Sequence, residues 1–442
     1  MKVNKHYQVV AAVAAVALLS GCGIFKGKGG PKTPVVGERV SILTSESSVE
    51  VDPALADVEV VLPAPEVNAD WNQPGGNAAK SMGHLALGYA PQKLWSASVE
   101  GGGKTARLAS SPVVSGGRLY VIGTDAQVRA FDAASGAAVW SADLGSKGNS
   151  GSAFGGGVSV DGGRVYATNG VGDVAALNAG DGGILWKKRP GGPLRGSPTL
   201  SNGNVYVMSQ DNQIFALNAD SGDLIWTESG TLEITGVFGV AAPAVGQGTV
   251  IAGYSSGELT AYRYENGRSL WGDALSRTSM STSVASLSDI DADPVIDRGR
   301  VYAVGQGGRI ASYELVTGQR LWELNAAGIS TPWVAGEWLF VVTDEAKLLC
   351  VARATGRIRW ISQLQRYRKE KKKQDPISWT GPVLAGGRLI LVSSEGDLVY
   401  ANPVDGSVLS TQEAGSGISL SPVVANNMLY ILDDDGRLTA YR

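Results

Sequence analysis

The stretch SPVVSGGRLYVIGTDAQVRAFDAASGAAVWSAD, residues 111–143, contains one complete structural unit. Ser111-Pro112-Val113-Val114 is a short apolar run and Gly116-Gly117 a turn. Arg118-Leu119-Tyr120-Val121-Ile122 then reads as a strand rich in β-branched and aromatic residues. Thr124-Asp125 turns the chain again, and Gln127-Val128-Arg129-Ala130-Phe131 alternates polar with apolar. Asp132-Ala133-Ala134-Ser135-Gly136 is a loop ending in a glycine able to take positive φ, and Ala137-Ala138-Val139-Trp140-Ser141 is a fourth strand. Four short antiparallel strands make a twisted sheet that cannot bury both faces alone, and radial stacking of such sheets solves that problem.

The unit is copied along the chain. Gly136/Trp140, Gly182/Trp186, Gly222/Trp226, Gly267/Trp271, Gly318/Trp322 and Gly356/Trp360 repeat one spacing. Pro112, Pro198, Pro243, Pro294 and Pro332 each stand 28 positions before their tryptophan, with Val158 in the proline's place in the second unit. Eight positions after the proline come Tyr120, Tyr166, Tyr206, Ile251, Tyr302, Phe340, Ile390 and Tyr430, all large. A seventh unit runs from Pro382 through Gly406, with Ser410 where tryptophan would stand. An eighth starts at Pro422 and stops after its third strand at Arg442, while an orphan strand, Leu94-Trp95-Ser96-Ala97-Ser98, precedes the first unit. The expected fold is all-β: an eight-bladed β-propeller of four-stranded antiparallel blades over residues 89–442. The N-terminal strand near Trp95 closes the ring and leaves no open edge. The repeated tryptophans read as wedges between blades.

The 442 residues carry a net charge of −3, which gives no pull toward nucleic acid, and 60 glycines, which suit a fold of many tight turns. Two cysteines make no disulfide framework, and Cys350 reads as a small apolar side chain in a strand. Residues 1–21 read as a signal peptide: Lys2 and Lys5 precede an apolar run, Val9 to Leu19, too short to span a membrane. Leu19-Ser20-Gly21-Cys22 resembles the cleavage box of bacterial lipoproteins, which implies acylation (palmitate among the chains) at Cys22. Gly23 in place of an aspartate favours, by the same resemblance, the periplasmic face of the outer membrane. Residues 22–70 are low in aromatics and rich in Gly, Pro, Ser and acids, the composition of a flexible tether. Residues 71–88 read as an N-terminal extension able to pack on the propeller.

Catalytic signals are sparse. Once the signal is removed the chain has one histidine, His84, outside the repeats, so the propeller lacks histidine-based nucleophilic or metal chemistry. Asp289, Asp291 and Asp293 alternate before Pro294, but they lack the glycine and distal glutamate of an EF-hand and form an incomplete calcium set. No metal and no cofactor are expected. Asp433-Asp434-Asp435-Gly436 reads as a solvated turn. The basic run from Arg366 to Lys373 is long for a blade connection and is expected to project from one rim, as a solvated loop or toward anionic lipid or an acidic protein.

The recurring unit Ala130-Phe131-Asp132 to Gly136 and Trp140, repeated as Ala176-Leu177-Asn178 to Trp186 and Ala216-Leu217-Asn218 to Trp226, resembles the repeat of pyrroloquinoline quinone (PQQ) proteins. That repeat occurs in quinoprotein dehydrogenases and in the BamB family, the lipoprotein scaffolds of the outer-membrane β-barrel assembly machinery. The first relationship would imply a PQQ-dependent dehydrogenase; those enzymes are typically longer and carry an adjacent cysteine pair that is absent here. The second implies a non-catalytic scaffold that binds the periplasmic domains of BamA and assists insertion of unfolded outer-membrane proteins. Leu287-Ser288-Asp289-Ile290-Asp291 looks like a Leu-Ser-Asp-Val-Asp loop of that family, and Leu232-Glu233-Ile234-Thr235-Gly236 resembles its Leu-x-Leu-Arg-Gly loop with Thr235 in place of arginine. The resemblance therefore implies partner-binding roles for Leu232, Ile234, Thr235, Asp289 and Asp291. The departure at Thr235 puts an ion pair there in doubt.

Overall fold

The structure, a computed structural model, describes residues 49–103, 106–145, 156–194, 196–232, 241–275 and 288–442. Cys22 and the signal and tether before residue 49 lie outside the described residues. Eight four-stranded antiparallel sheets follow one another around an axis, as the repeat predicts. Blade 1 is built from Val113–Ser115, Arg118–Ile122, Gln127–Asp132 and Ala138–Asp143. Blades 2 to 7 repeat this order along the chain. Blade 8 takes Val423–Ala425, Met428–Leu432 and Arg437–Tyr441 from the C-terminus and Lys93–Ser98 from the N-terminal side, with Trp95 opposite Ala440. Gln92 and Arg442 exchange backbone hydrogen bonds of 2.8 and 2.9 Å where the two chain segments meet.

Within a blade, register explains which residue types recur. Tyr120 lies opposite Ala130, which lies opposite Trp140, so a small residue sits between two aromatic rings on one face. The ring centroids then meet at 5.9 Å, a tilted pair of the kind worth about 0.5–1.5 kcal/mol beyond its buried area. Cys350 is the small member of this row in blade 6, between Phe340 and Trp360, which accounts for a buried free thiol there. Blade 7 inverts the row: Ile390, Tyr400, Ser410. The ring has moved one strand inward, where the Arg388 guanidinium stacks 4.7 Å from the Tyr400 centroid, and the outer position needs only a serine.

The spacing of glycine and tryptophan is an interblade clasp. Each tryptophan lies against the glycine of the next blade: Trp95 on Gly136, Trp140 on Gly182, and so on to Trp360 on Gly406. These seven glycines have φ of 71–76°, and a Cβ on any of them would fall no more than 2.7 Å from the indole. Each indole N–H donates to a carbonyl beside that glycine, at 2.8–3.2 Å. A blade thus receives a ring at its glycine and offers one four residues later. The junction from blade 7 to blade 8 differs: Arg388 of blade 7 donates to the Gly88 and Tyr89 carbonyls of the N-terminal segment, and Ser410 stands where the other blades offer tryptophan.

The segment expected to finish a tether is in contact with the propeller from residue 49 onward. Asp52 N–H donates to Ile358 O at 2.9 Å, and Arg359 Nε to Val58 O at 2.7 Å, so the chain docks first on the outer strand of blade 6, Ile358–Gln363. It then turns to the centre and forms a collar. The collar bonds the first, innermost strand of every blade in circular order: Asn68 to Val424 and Asn426, Trp71 to Val114, Asn72 to Val160, Gln73 to Leu200, Ala78 to Val245, Ala79 to Ile296, Gly83 to Trp333, and Leu85 to Leu384 and Gly386. The physical reason is the edge. An innermost strand has one unpaired side of backbone N–H and C=O groups, and leaving such groups buried and unbonded costs about 1–3 kcal/mol each. His84 pins the end of the collar. Its Nε2 accepts from Gly387 N–H at 2.9 Å, which leaves Nδ1 to donate to Pro63 O at 2.7 Å.

Candidate docking face

The loops that lead from one blade's outer strand into the next blade's innermost strand share one face. At its centre opens a cavity of about 800 Å³. The collar is its floor, through Trp71, Pro74, Gly75 and Lys80, and the blade-entry loops are its walls. Trp71 stacks on Trp333 at 6.0 Å. Lys80 is 2% exposed and donates from Nζ to Thr199 Oγ1 at 3.1 Å. Burial lowers the Lys80 ammonium to about 8, against the opposing attraction of the Asp293 carboxylate. Burial raises the Asp293 carboxyl in turn, although Lys80 and the Ala242 N–H, which donates at 2.7 Å, oppose the shift. One ammonium and one carboxylate therefore moderate each other beneath a mixed polar and apolar funnel.

Two loops of interest enter blades 4 and 5. The turn Tyr254-Ser255-Ser256-Gly257-Glu258 of blade 4 ties them together. Glu258 accepts from Thr231 N–H and Oγ1, both at 2.8 Å, while Ser288 Oγ donates to Ser255 O at 3.2 Å and Ile290 N–H to Tyr254 O at 3.2 Å. Burial raises the Glu258 carboxyl, but the bonds from Thr231 and Ser256 outweigh it and hold the group below the usual carboxylate range. Asn212 reaches from blade 3, donating to Thr231 O at 2.6 Å and accepting from Ser255 N–H at 3.1 Å. The result is a rigid bracket spanning blades 3 to 5.

Sequence-based expectations divide here. Leu232 follows the bracket directly and is 67% exposed, an isolated apolar side chain offered to solvent. Ile234 and Thr235 lie outside the described residues. Asp291 is half-buried and lines the cavity wall. Asp289 stands on the same loop and is 1% exposed, beside the buried Ile290. Successive residues of an extended segment point to opposite sides, so burial of both Asp289 and Ile290 means that this part of the loop is packed on both sides. The turn at Asp433 also differs from expectation. Asp433 is buried and accepts from Arg437 N–H at 2.7 Å, and Asp434 accepts from Ser419 Oγ at 2.9 Å, so two of the three aspartates are structural. The bracket itself, Asn212, Tyr254 and Glu258, carried no sequence signal, since its partners are loop backbone groups. Among the described residues, no group of three or more His, Cys, Asp or Glu side chains is placed to hold a metal ion, and no helix is long and apolar enough to cross a membrane.

Comparison with known proteins places this geometry. The family model described as outer membrane protein assembly factor BamB matches residues 90–153, 124–362 and 365–442. The assembly factor BamB of Alkalilimnicola ehrlichii is 35% identical over 369 residues, covering 83% of this chain and 92% of that protein. That of Salmonella typhimurium is 28% identical over 437 residues, 98% of each chain. The crystal structure of BamB from Moraxella catarrhalis superposes with a TM-score of 0.68 at 20% identity, over 80% of this chain and 100% of that one. The quinohemoprotein alcohol dehydrogenase of Comamonas testosteroni gives 0.67 at 13% identity, over 84% and 80%. Such low identities speak for the fold alone, and the quinoprotein dehydrogenases are distant relatives by architecture only.

Proposed function

Because the chain belongs to the family of the outer membrane protein assembly factor BamB, we propose that it is a non-catalytic scaffold of outer-membrane β-barrel assembly. Residues 1–21 direct export, Cys22 is acylated, and the segment up to about residue 48 tethers the propeller at the periplasmic face of the outer membrane. The partner is BamA, met through its periplasmic domains at the corner of blades 3 to 5. Unfolded outer-membrane proteins are the clients. The observation that carries the docking site is Leu232, exposed at the end of a bracket in which Glu258 holds Thr231. An exposed aliphatic anchor beside a fixed bracket loses little entropy on binding, and the Asp291 carboxylate at the cavity wall adds specificity. The absence of catalysis is supported by the use of His84: both ring nitrogens are engaged in holding the collar.

The test is co-purification with BamA from detergent-solubilised membranes. Leu232→Glu with the near-isosteric Asp291→Asn is expected to reduce recovery at least about tenfold, the loss of one hot spot of about 1.4 kcal/mol or more, in a protein whose circular dichroism still reports the folded propeller. Undiminished recovery by a folded double variant would remove this corner from the interface. Acylation is read separately, by palmitate incorporation that Cys22→Ser abolishes.

A further inference from the structure

Between blades 6 and 7 the chain leaves the ring and forms a small hairpin, Tyr367–Lys369 paired with Gln374–Pro376, capped by a 3-10 turn at Glu370–Lys372. Its base is fixed. Leu364, Ile377 and Trp379 are buried, Ile377 N–H donates to Arg366 O at 2.9 Å, and Trp379 Nε1 to Gln365 O at 2.8 Å. Its charges are sorted. Lys369 pairs with Asp375 at 2.8 Å, Arg366 lies 3.9 Å from Glu345, and Arg368 pairs with Glu395. Glu370 turns inward to accept from the backbone N–H groups of Arg366 and Tyr367 at 2.9 and 3.1 Å. Glu345, Glu370, Asp375 and Glu395 are thus committed to these partners. Among the described residues Lys371, Lys372 and Lys373 have no ion pair and stand exposed at the tip, three positive charges in sequence on a rigid mount.

We propose that this lysine tip is a docking surface for anionic lipid headgroups, which turns the blade 6 edge of the propeller toward the membrane. The proposal rests on the lipid-anchored reading above. The argument for lipid over an acidic protein is where the N-terminal chain joins the ring. Asp52 is bonded to Ile358 at one end of blade 6's outer strand, and the hairpin leaves from the other end of that strand, six residues or roughly 20 Å away. Cys22 lies 27 positions before Val49, a reach of at most roughly 95 Å at full extension. An anchored chain of that length keeps the hairpin at high effective concentration over the lipid surface, where weak charge attraction suffices.

The test uses the full mature sequence left unacylated by Cys22→Ser, floated with vesicles of phosphatidylcholine alone or mixed with phosphatidylglycerol. Lys371→Gln, Lys372→Gln and Lys373→Gln together are expected to weaken partition onto the anionic vesicles roughly 100-fold, with neutral vesicles unaffected and the difference abolished by high salt. Equal flotation of the parent and the triple variant would overturn the proposal. So would a tip that governs binding to poly-glutamate but not to vesicles, since the surface would then be a protein dock. Absence of palmitate incorporation in cells would defeat the anchor reading and leave the vesicle result standing.

Discussion

The outer wall of the ring and its inner wall are held together by opposite strategies. Outside, one device is repeated seven times: a tryptophan laid on the next blade's glycine, its N–H bonded to the neighbouring carbonyl. Inside, a single stretch of chain passes all eight blades and meets them by mixed means, by backbone at Val114, Val160, Val245 and Ile296, by a glutamine amide at Leu200, by a carbonyl under an indole at Trp333. A repeated clasp makes stability a sum of nearest-neighbour terms, so damage stays local. A collar is shared by every junction, so damage to it is felt around the whole channel.

The largest expected effect tests the local half of that contrast. Trp226 is buried and lies on Gly267, with its Nε1 2.9 Å from Tyr264 O. Trp226→Ala should cost about 3–5 kcal/mol, measured by denaturant unfolding, and increased amide exchange should concentrate in blades 3 and 4. Uniform exchange across the ring would show that the clasps are not independent.

A smaller effect tests the collar. Lys80 has a folded pKa of about 8, below the 10.5 of an unperturbed lysine. Between these values the unfolded chain holds a proton that the folded chain has released, so stability rises with pH across this window. From pH 8 to pH 10 the parent should gain on the order of 2 kcal/mol relative to Lys80→Met, the difference cancelling the tyrosine ionisations common to both proteins. Above pH 10 the buried tyrosines act in the opposite sense, Tyr206, Tyr400 and Tyr430 being pushed up to about 12 by burial, so the comparison stops there. Parallel pH profiles for the two proteins would contradict a buried ammonium in the collar.

The smallest effect is the most pointed. Ser410→Trp restores the repeated residue at the one junction without a receiving glycine. It should change stability by less than about 0.5 kcal/mol in thermal unfolding, the scale of an exposed surface substitution. A gain of the size of a clasp would mean that the corner of blade 8 can be supplied some other way.

These differences also mark what the residues revealed in advance. The clasp was visible because a contact made seven times leaves seven copies of its residues, and the orphan strand at Trp95 was visible because one copy lacked its fourth strand. The collar left no such trace: its partners are backbone groups that any side chain carries. The burial of Asp289 could not be read in advance, because a five-residue likeness records side-chain types and not the direction in which a packed loop points them. Ser410 looked like a lapse in the repeat until the register put Tyr400 one strand inward, a compensation that requires the cross-strand pairing to be known.

Whether this ring works as a docking disc is tested most directly by a photo-crosslinking residue placed at Leu232 and, as a control, at the exposed Val408 on the outer strand of blade 7. In intact cells the probe at Leu232 should form an adduct with BamA and the probe at Val408 should not. An adduct from Val408 alone, or from neither position in a folded protein, would contradict the account.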